Sequence, residues 1–571
     1  MSLQILMKYK YFFPILLVAL NAKILWADNP GRVPINHPVY SFLDRMETLG
    51  VIANIRDAVK PFDRGRISTI LTEINSKREE LTNIDLNRLD NFLLDFRFEI
   101  NRLQKYKYTS ETSNWYSPLS NLKQFKSDFN RFFQKNQPEE ENHVVLWEDS
   151  TNSFYFDFIQ DFTYDRRDDD VYRTNNAQTF KLRGSIGERF SIALEVTQMA
   201  LNGDKVYRLQ DPIMKGAWNQ SPNDGATFFD RSGGEIAYSS PIMDFRFAHQ
   251  STTWGLGEFS QLILSDNVEQ FPYISISKHW KWGSFTFMHG KLLSQANSDS
   301  IDGQPVYPEK WIAAHRFEFS PSSRVSIGLS ELIIYGNRSV EWAYLVPFNF
   351  YRATEHYLRD RDNETIALDI EARLFRGGKV YGTVFIDELS TSKLFTDWFG
   401  NKHGFQFGLH LADPFHLNNL SLRFEYIAIM PWVYTHRFKI NRYIHDGRSL
   451  GFSTGPNSQV LYTDLQKEWH YRFKTGIKWR KVKHGDNFLN ENIGGDILIG
   501  HDTLLGNQIA SRQTRDFLEG IITTENHLEF YSQLELFNDL FLDFSISHLE
   551  IKTFNSISKS TILHFGFKLD Y

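Results

Sequence analysis

The 571-residue chain has no cysteine, which excludes disulfides and thiolate metal sites. After its first few dozen residues it has no apolar stretch of the ~20 residues that a membrane-spanning helix needs. It has no basic excess either: 63 Lys and Arg stand against 69 Asp and Glu, net −6, unlike the positive footprint of a nucleic-acid binder. Gly-rich phosphate loops and nucleophile elbows are missing as well. Aromatic residues are abundant, with 49 Phe, 25 Tyr and 13 Trp, yet mean hydropathy is negative. That pairing suits strands with one apolar and one polar face. A single soluble core stops growing at roughly 250 to 300 residues, a limit that a large barrel escapes.

The amino terminus reads MSLQILMKYKYFFPILLVALNAKILWADNP. Lys8 and Lys10 give a positive start, Phe12 to Leu20 a short apolar run broken by Pro14, and Ala27 a small residue for cleavage. This predicts a secretory signal over residues 1–27 rather than an anchor. Its removal leaves 60 basic and 69 acidic residues, net −9.

Residues 28–105 carry helical spacing. Val39, Phe42, Leu43, Met46 and Leu49 share one face before Gly50; Ile67, Ile70, Leu71 and Ile74 form a second; and a single third helix is expected through Leu86, Leu89, Phe92, Leu93, Phe96, Ile100 and Leu103. VYSFLDRMETLGVI followed by PFDRGRISTIL resembles a surface-layer-homology repeat, which implies contact with peptidoglycan. A plain three-helix packing domain is the simpler reading. Residues 106–150, including QPEEEN, read as a polar linker.

From residue 151 to 571 the apolar period becomes two. In SFYFDFIQDFTYD, Phe154, Phe156, Phe158, Phe162 and Tyr164 oppose Asp157, Asp161 and Thr163, and the alternation recurs in RVSIGL, ETIALDIEARLF, GFQFGLHLA and HLEFYSQLELF. Export, strands of about 9 to 11 residues and aromatics near strand ends favour an antiparallel outer-membrane β-barrel over a soluble sandwich. At some 23 residues per strand and loop, about 18 strands are expected, with 16 the alternative. Short turns such as IGER fit the periplasmic side; DPIMKGAWNQSPNDGATFFDRSGG and SQANSDSIDGQPVYPEK fit extracellular loops.

The ordered stretches TTWGLGEFSQLILSDNVEQFPYISI, EWAYLVPFNFYR, RDRDNETIALDIEARLF, DPFHLNNLSLRFEYIAIMPWVYTHRF and YIHDGRSLGFSTGPNS, between Thr252 and Ser458, resemble the Wzi capsule-assembly family. That resemblance implies a large barrel, closed on its periplasmic side by helices, that helps hold capsular polysaccharide on the surface of a Gram-negative cell. Its partners would be outer-membrane lipid and the polymer. Two readings from other classes stand beside it: a porin or export channel, and a structural tether to the cell wall.

Alternation turns Arg183, Glu195, Arg246, Glu318, Asp369, Glu371, Arg373, Arg423 and Glu425 toward the lumen, where they are expected to pair and fill space rather than bind a ligand. Sugar contacts are expected at the extracellular rim, where rings stack on pyranoses and polar groups bond hydroxyls. Trp254, Glu258, Asp266, Asn267, Trp432, Tyr434 and His436 have that chemistry, although an interfacial girdle accounts equally well for the Trp and Tyr. HDGR and RRDDD lack calcium-loop spacing, so neither metal, cofactor nor catalytic site is expected. The chain ends TILHFGFKLDY, and Phe567, Leu569 and Tyr571 resemble the terminal signal read by the outer-membrane assembly machinery.

Overall fold

The computed structural model describes residues 30–103, 112–114 and 143–570, less short stretches at loop tips, the longest being 215–225 and 502–509. Residues 1–27, Tyr571 and most of the linker, on which the export, terminal-aromatic and linker expectations rest, lie outside the described residues.

Eighteen antiparallel strands close into a barrel. They are β1 (Ser153–Arg167), β2 (Tyr172–Ile186), β3 (Phe190–Gly203), β4 (Ala226–Ser239), β5 (Asp244–Gln250) and β6 (Phe271–His279). Next come β7 (Gly283–Leu292), β8 (Lys310–Ser322), β9 (Val325–Gly336), β10 (Asn363–Phe375), β11 (Gly378–Glu388) and β12 (Lys402–Ala412). The last are β13 (Leu420–Ile429), β14 (Ser458–His470), β15 (Phe473–Asp486), β16 (Ile521–Phe537), β17 (Leu540–Lys552) and β18 (Ile557–Asp570). Each strand pairs with its chain neighbour, and β18 closes on β1 with Phe565 opposite Tyr164 and Lys568 opposite Asp161. Beyond the end of β18, the free edge of β1 is covered by Val145–Glu148, which pairs with Ser153 to Phe156.

The outward register forms a broad apolar belt. Phe180, Leu194, Phe247, Phe317, Leu368, Phe405, Phe530, Phe544, Leu563 and Phe565 are all exposed, which is stable only against hydrocarbon. Both chain ends of the wall and the short turns lie on one side, periplasmic in such barrels. Trp280 and Trp282 stack there at 5.6 Å, as an interfacial girdle does.

One extracellular boundary differs from the sequence expectation. ATFFDRSGG was read as loop, but it opens β4. Gly233 and Gly234 hide its alternation, and Gly233 is required by close approach: a Cβ there would lie 3.0 Å from the His249 carbonyl.

Among the described residues, four helices precede the barrel: α1 (Val39–Leu49), α2 (Arg64–Asn75), α3 (Asn83–Asp95) and α4 (Arg97–Leu103). The expected third helix is thus two, broken at Phe96, whose φ/ψ of −107°/15° leaves the helical region. α1 ends on Gly50 at φ 79°, whose amide caps Glu47. Val39, Phe42, Leu43 and Met46 from α1, Ile67, Leu71 and Ile74 from α2, and Leu89 and Phe92 from α3 form their own core, each large side chain contributing about 1.5–3 kcal/mol.

That bundle docks against the periplasmic turns. The Asn54 amide donates to Ser323 O at 3.0 Å, and the Gly377 amide to Thr48 O at 2.9 Å. Arg45 bonds both Asp85 in α3 and Asp413 in the β12–β13 turn.

Candidate functional site

The interior is built from two directions. From below, the helical bundle supplies counter-ions to the lumen-facing register. Arg246 bonds Glu235 at 2.8 Å and Asp63 of the bundle at 2.7 Å. Lys379 bonds Asp44 and Glu47 of α1 and Glu371 of the wall, the last at 3.1 Å. Arg423 also pairs with Asp44, and Arg373 donates to the Glu47 and Ile52 carbonyls at 2.7 and 2.8 Å. Within the wall, Arg316 joins Asp369 and Glu318.

Although burial pushes it up, Arg423 and Lys379 hold the Asp44 carboxyl well below the usual carboxylate range. Burial and the nearby Glu371 push Glu47 well above it. α1 is therefore latched to the wall by the ionised Asp44 beneath Arg423 and Lys379, with Glu47 favoured in its neutral form beside them.

The expected lumen set faces inward, but alternation along a strand carries no information about its partners. Arg183 stacks over the Tyr155 ring at 4.0 Å, and Glu195 lies opposite Lys181. Arg316 shares its register with Glu318, two positions away, and Lys379 lies directly across the strands from Arg373. Asp44, Glu47 and Asp63 sit in the helical part, where no periodicity announces a lumen.

From above, two extracellular segments fold into the lumen. In residues 251–270, Thr253–Trp254 pairs antiparallel with Val59–Lys60 of the bundle, so material from the two ends of the barrel meets inside it. Leu262, Ile263 and Leu264 are fully buried. Residues 430–457 lock this loop down: Tyr434 Oη donates to Leu262 O at 2.7 Å and Tyr443 Oη to Ile263 O at 2.6 Å. Glu425 accepts the amides of Glu258 and Phe259 at 2.7 and 3.0 Å.

This arrangement separates the expected sugar-contact residues. Trp254, Trp432 and Tyr434 are buried in the interior core or beneath the rim, placing them neither in a stacking platform nor in a lipid girdle. Glu258 lies inside the lumen, 3.4 Å from Arg423. Asp266 is exposed, and Asn267 Nδ2 donates to Ser449 O at 3.0 Å. His436 lies on the rim; burial and Lys402 push it down to about 3, so its neutral ring accepts the Phe438 amide at 3.1 Å. HDGR makes a tight turn, with His445 Nδ1 accepting the Leu293 amide at 3.0 Å.

A rim cluster escaped sequence reasoning because its members come from three distant loops. Phe399 and His501 stack with centroids 3.6 Å apart; Trp398 lies 5.2 Å from Phe399, and Trp432 4.9 Å from His501. Trp398 bridges to Thr514, and the Arg515 amide donates to Asp397 O at 2.7 Å. Among the described residues, Trp432 Nε1 and Arg515 Nε and Nη1 are buried without a hydrogen-bond partner. Aromatic rings beside unsatisfied donors suit a polyhydroxylated ligand.

The solved structure of Wzi from Escherichia coli, described as an outer membrane protein involved in group 1 capsule assembly and a carbohydrate-binding β-barrel, is similar over 95% of this chain and 99% of its own, with a TM-score of 0.56 at 12% identity. OccK1 of Pseudomonas aeruginosa matches over 73% of this chain and 99% of its own, with a TM-score of 0.42 at 10% identity. No curated protein sequence matches. The model of capsule assembly protein Wzi matches residues 160–560, and the chain belongs to that family.

Proposed function

We propose that this outer-membrane barrel holds capsular or other extracellular polysaccharide at the cell surface, binding it at the rim rather than passing it through the lumen. One observation carries the reading: bundle and loops meet inside the barrel through Val59–Lys60 and Thr253–Trp254, while the rim cluster of Trp398, Phe399, His501 and Arg515 keeps donors unpaired. Asp266, Asn267 and His436 supply further polar groups around the rim; Trp254, Trp432 and Tyr434 shape it from beneath. The role is binding, not catalysis. Purified protein in lipid bilayers should retain polysaccharide from its own organism, and Trp398→Ala should weaken that. A wild-type protein that binds none, with a deletion strain whose capsule stays attached, would refute the proposal.

A second reading, solute passage, is favoured by the inner wall of β15–β18 and β1, where Lys478, Glu529, Asp543, Lys568 and Asp161 are only partly buried. Steady conductance steps through the intact protein would support it. Insertion of the barrel by the assembly machinery through Phe567, Leu569 and Tyr571, and contact of the bundle's outer side with peptidoglycan, complete the proposed set of partners.

A further inference from the structure

Lumen-facing Ser284, Arg316 and Ser330 set the opposite, outward register of β7, β8 and β9: Phe285, Phe287 and His289; Ala313 and His315; Glu331, Ile333 and Tyr335. On other strands that register faces lipid. Here Phe287, Ala313, Ile333 and Tyr335 are at most 1% exposed. Their cover is the chain between β9 and β10, which leaves the extracellular end of β9 and turns back down the outside of the barrel.

Its 3₁₀ turn Trp342–Leu345 and helix α5 (Tyr351–Tyr357) press Tyr344 and Tyr351 onto Ala313, Ile333 and Tyr335. Phe348 stacks on Phe285 at 4.5 Å, close above the periplasmic turn that carries Trp280 and Trp282. On the inner side of the cover the backbone amides nearest the wall are paired, while the Tyr351 hydroxyl and His315 Nδ1 are buried without a hydrogen-bond partner. The Tyr351 and Arg352 amides both donate to Glu331 at 2.9 Å, and Glu331 also pairs with His315 at 3.0 Å. Asn349 Nδ2 donates to Ala343 O at 3.0 Å. From Trp342 to Phe350 the outer side is apolar, with Trp342 80% and Phe348 70% exposed and Val346 and Phe350 beside them; on the helix that follows, Arg352 and His356 are exposed as well.

We propose that residues 338–358 form an external membrane strap, whose ridge of Trp342, Val346, Phe348 and Phe350 packs against lipid acyl chains. Hydrocarbon is the occupant because the ridge continues the lipid-facing belt, with Phe317 and Leu329 below it and Leu368 and Ile370 beside it, all exposed. Irregular chain at membrane depth is stable only where its polar groups are satisfied by protein, and Glu331 and Asn349 do this here. Arg359 and Arg361 fall where the chain returns to the start of β10, at headgroup level. The strap also explains how His315 and Glu331 occupy an outward register: it hides them from lipid.

Because the chain has no cysteine, Trp342→Cys and Phe348→Cys each place a single spin label in the full protein reconstituted in phospholipid bilayers. Both labels should be several-fold more accessible to dissolved oxygen than to a water-soluble nickel chelate, and a label at Leu489→Cys, on an exposed extracellular loop, the reverse. Strap labels that behave like Leu489→Cys would overturn the proposal. So would dipolar broadening between labels at low protein-to-lipid ratio, which would make a second copy the occupant. Heat-modifiable electrophoretic mobility confirms that each variant is folded, and the two strap positions test the claim independently.

Discussion

Lys379→Ala removes the cation at the centre of the latch between α1 and the wall. Lys379 is 2% exposed, and its ammonium is shared by Asp44, Glu47 and Glu371. Without it Asp44 keeps Arg423, whereas Glu47 and Glu371 lose their cation. Removing one partner of a buried pair costs about 3–5 kcal/mol, and each 1.36 kcal/mol is about a factor of ten. Hydrogen exchange of α1 amides should therefore accelerate by about two to four orders of magnitude, with strand amides unchanged. Lowering the pH, which neutralises the stranded carboxylates, should restore part of the protection. If α1 in the variant exchanges at the wild-type rate, the bundle is held by packing alone and the latch argument is wrong.

The latch of the wild type should also depend on pH. Asp44, held below its ordinary 3.8, contributes stability that is lost as pH falls below that value, and Glu47, pushed above its ordinary 4.5, contributes stability that is lost as pH rises past that value. α1 protection should therefore peak near pH 4, and a monotonic rise to neutrality would contradict it. Gly494 has φ +84°, and a Cβ there would come within 2.5 Å of the Trp432 ring; Gly494→Ala should cost about 1–3 kcal/mol locally and weaken polysaccharide binding while the barrel keeps its folded mobility. Unchanged affinity would detach Trp432 from binding. Deleting Tyr571 should lower the surface level of the protein, as measured by outer-membrane fractionation, and a normal level would refute the terminal signal. Deleting residues 30–103 should open the periplasmic mouth and produce conductance steps in a planar bilayer; a silent barrel would mean that the loops alone seal it.

The wall was legible because a strand between lipid and lumen must alternate, and Phe565, His564, Phe567 and Lys568 do so without ambiguity. The inward loops were not. Residues 262–264, Leu-Ile-Leu, have no alternation, and such a run in an extracellular loop makes sense only if the loop returns to a core. EWAYLVPFNF carries the same signal for the strap. Rim chemistry was legible as residue type but not as place: Trp254 and Tyr434 are aromatic for packing, whereas Phe399 and His501 meet only through tertiary structure. The break at Phe96 was invisible because apolar spacing continues across it.

The closure of β18 on β1 has a consequence for the order of events in biogenesis. β18 completes a ring above a bundle that precedes every strand of the wall in the chain and is latched to strands and turns from the middle of it. The bundle seats on the periplasmic turns, so docking is a step separable from closure, and a weakened latch should register as slow maturation as well as a loose plug.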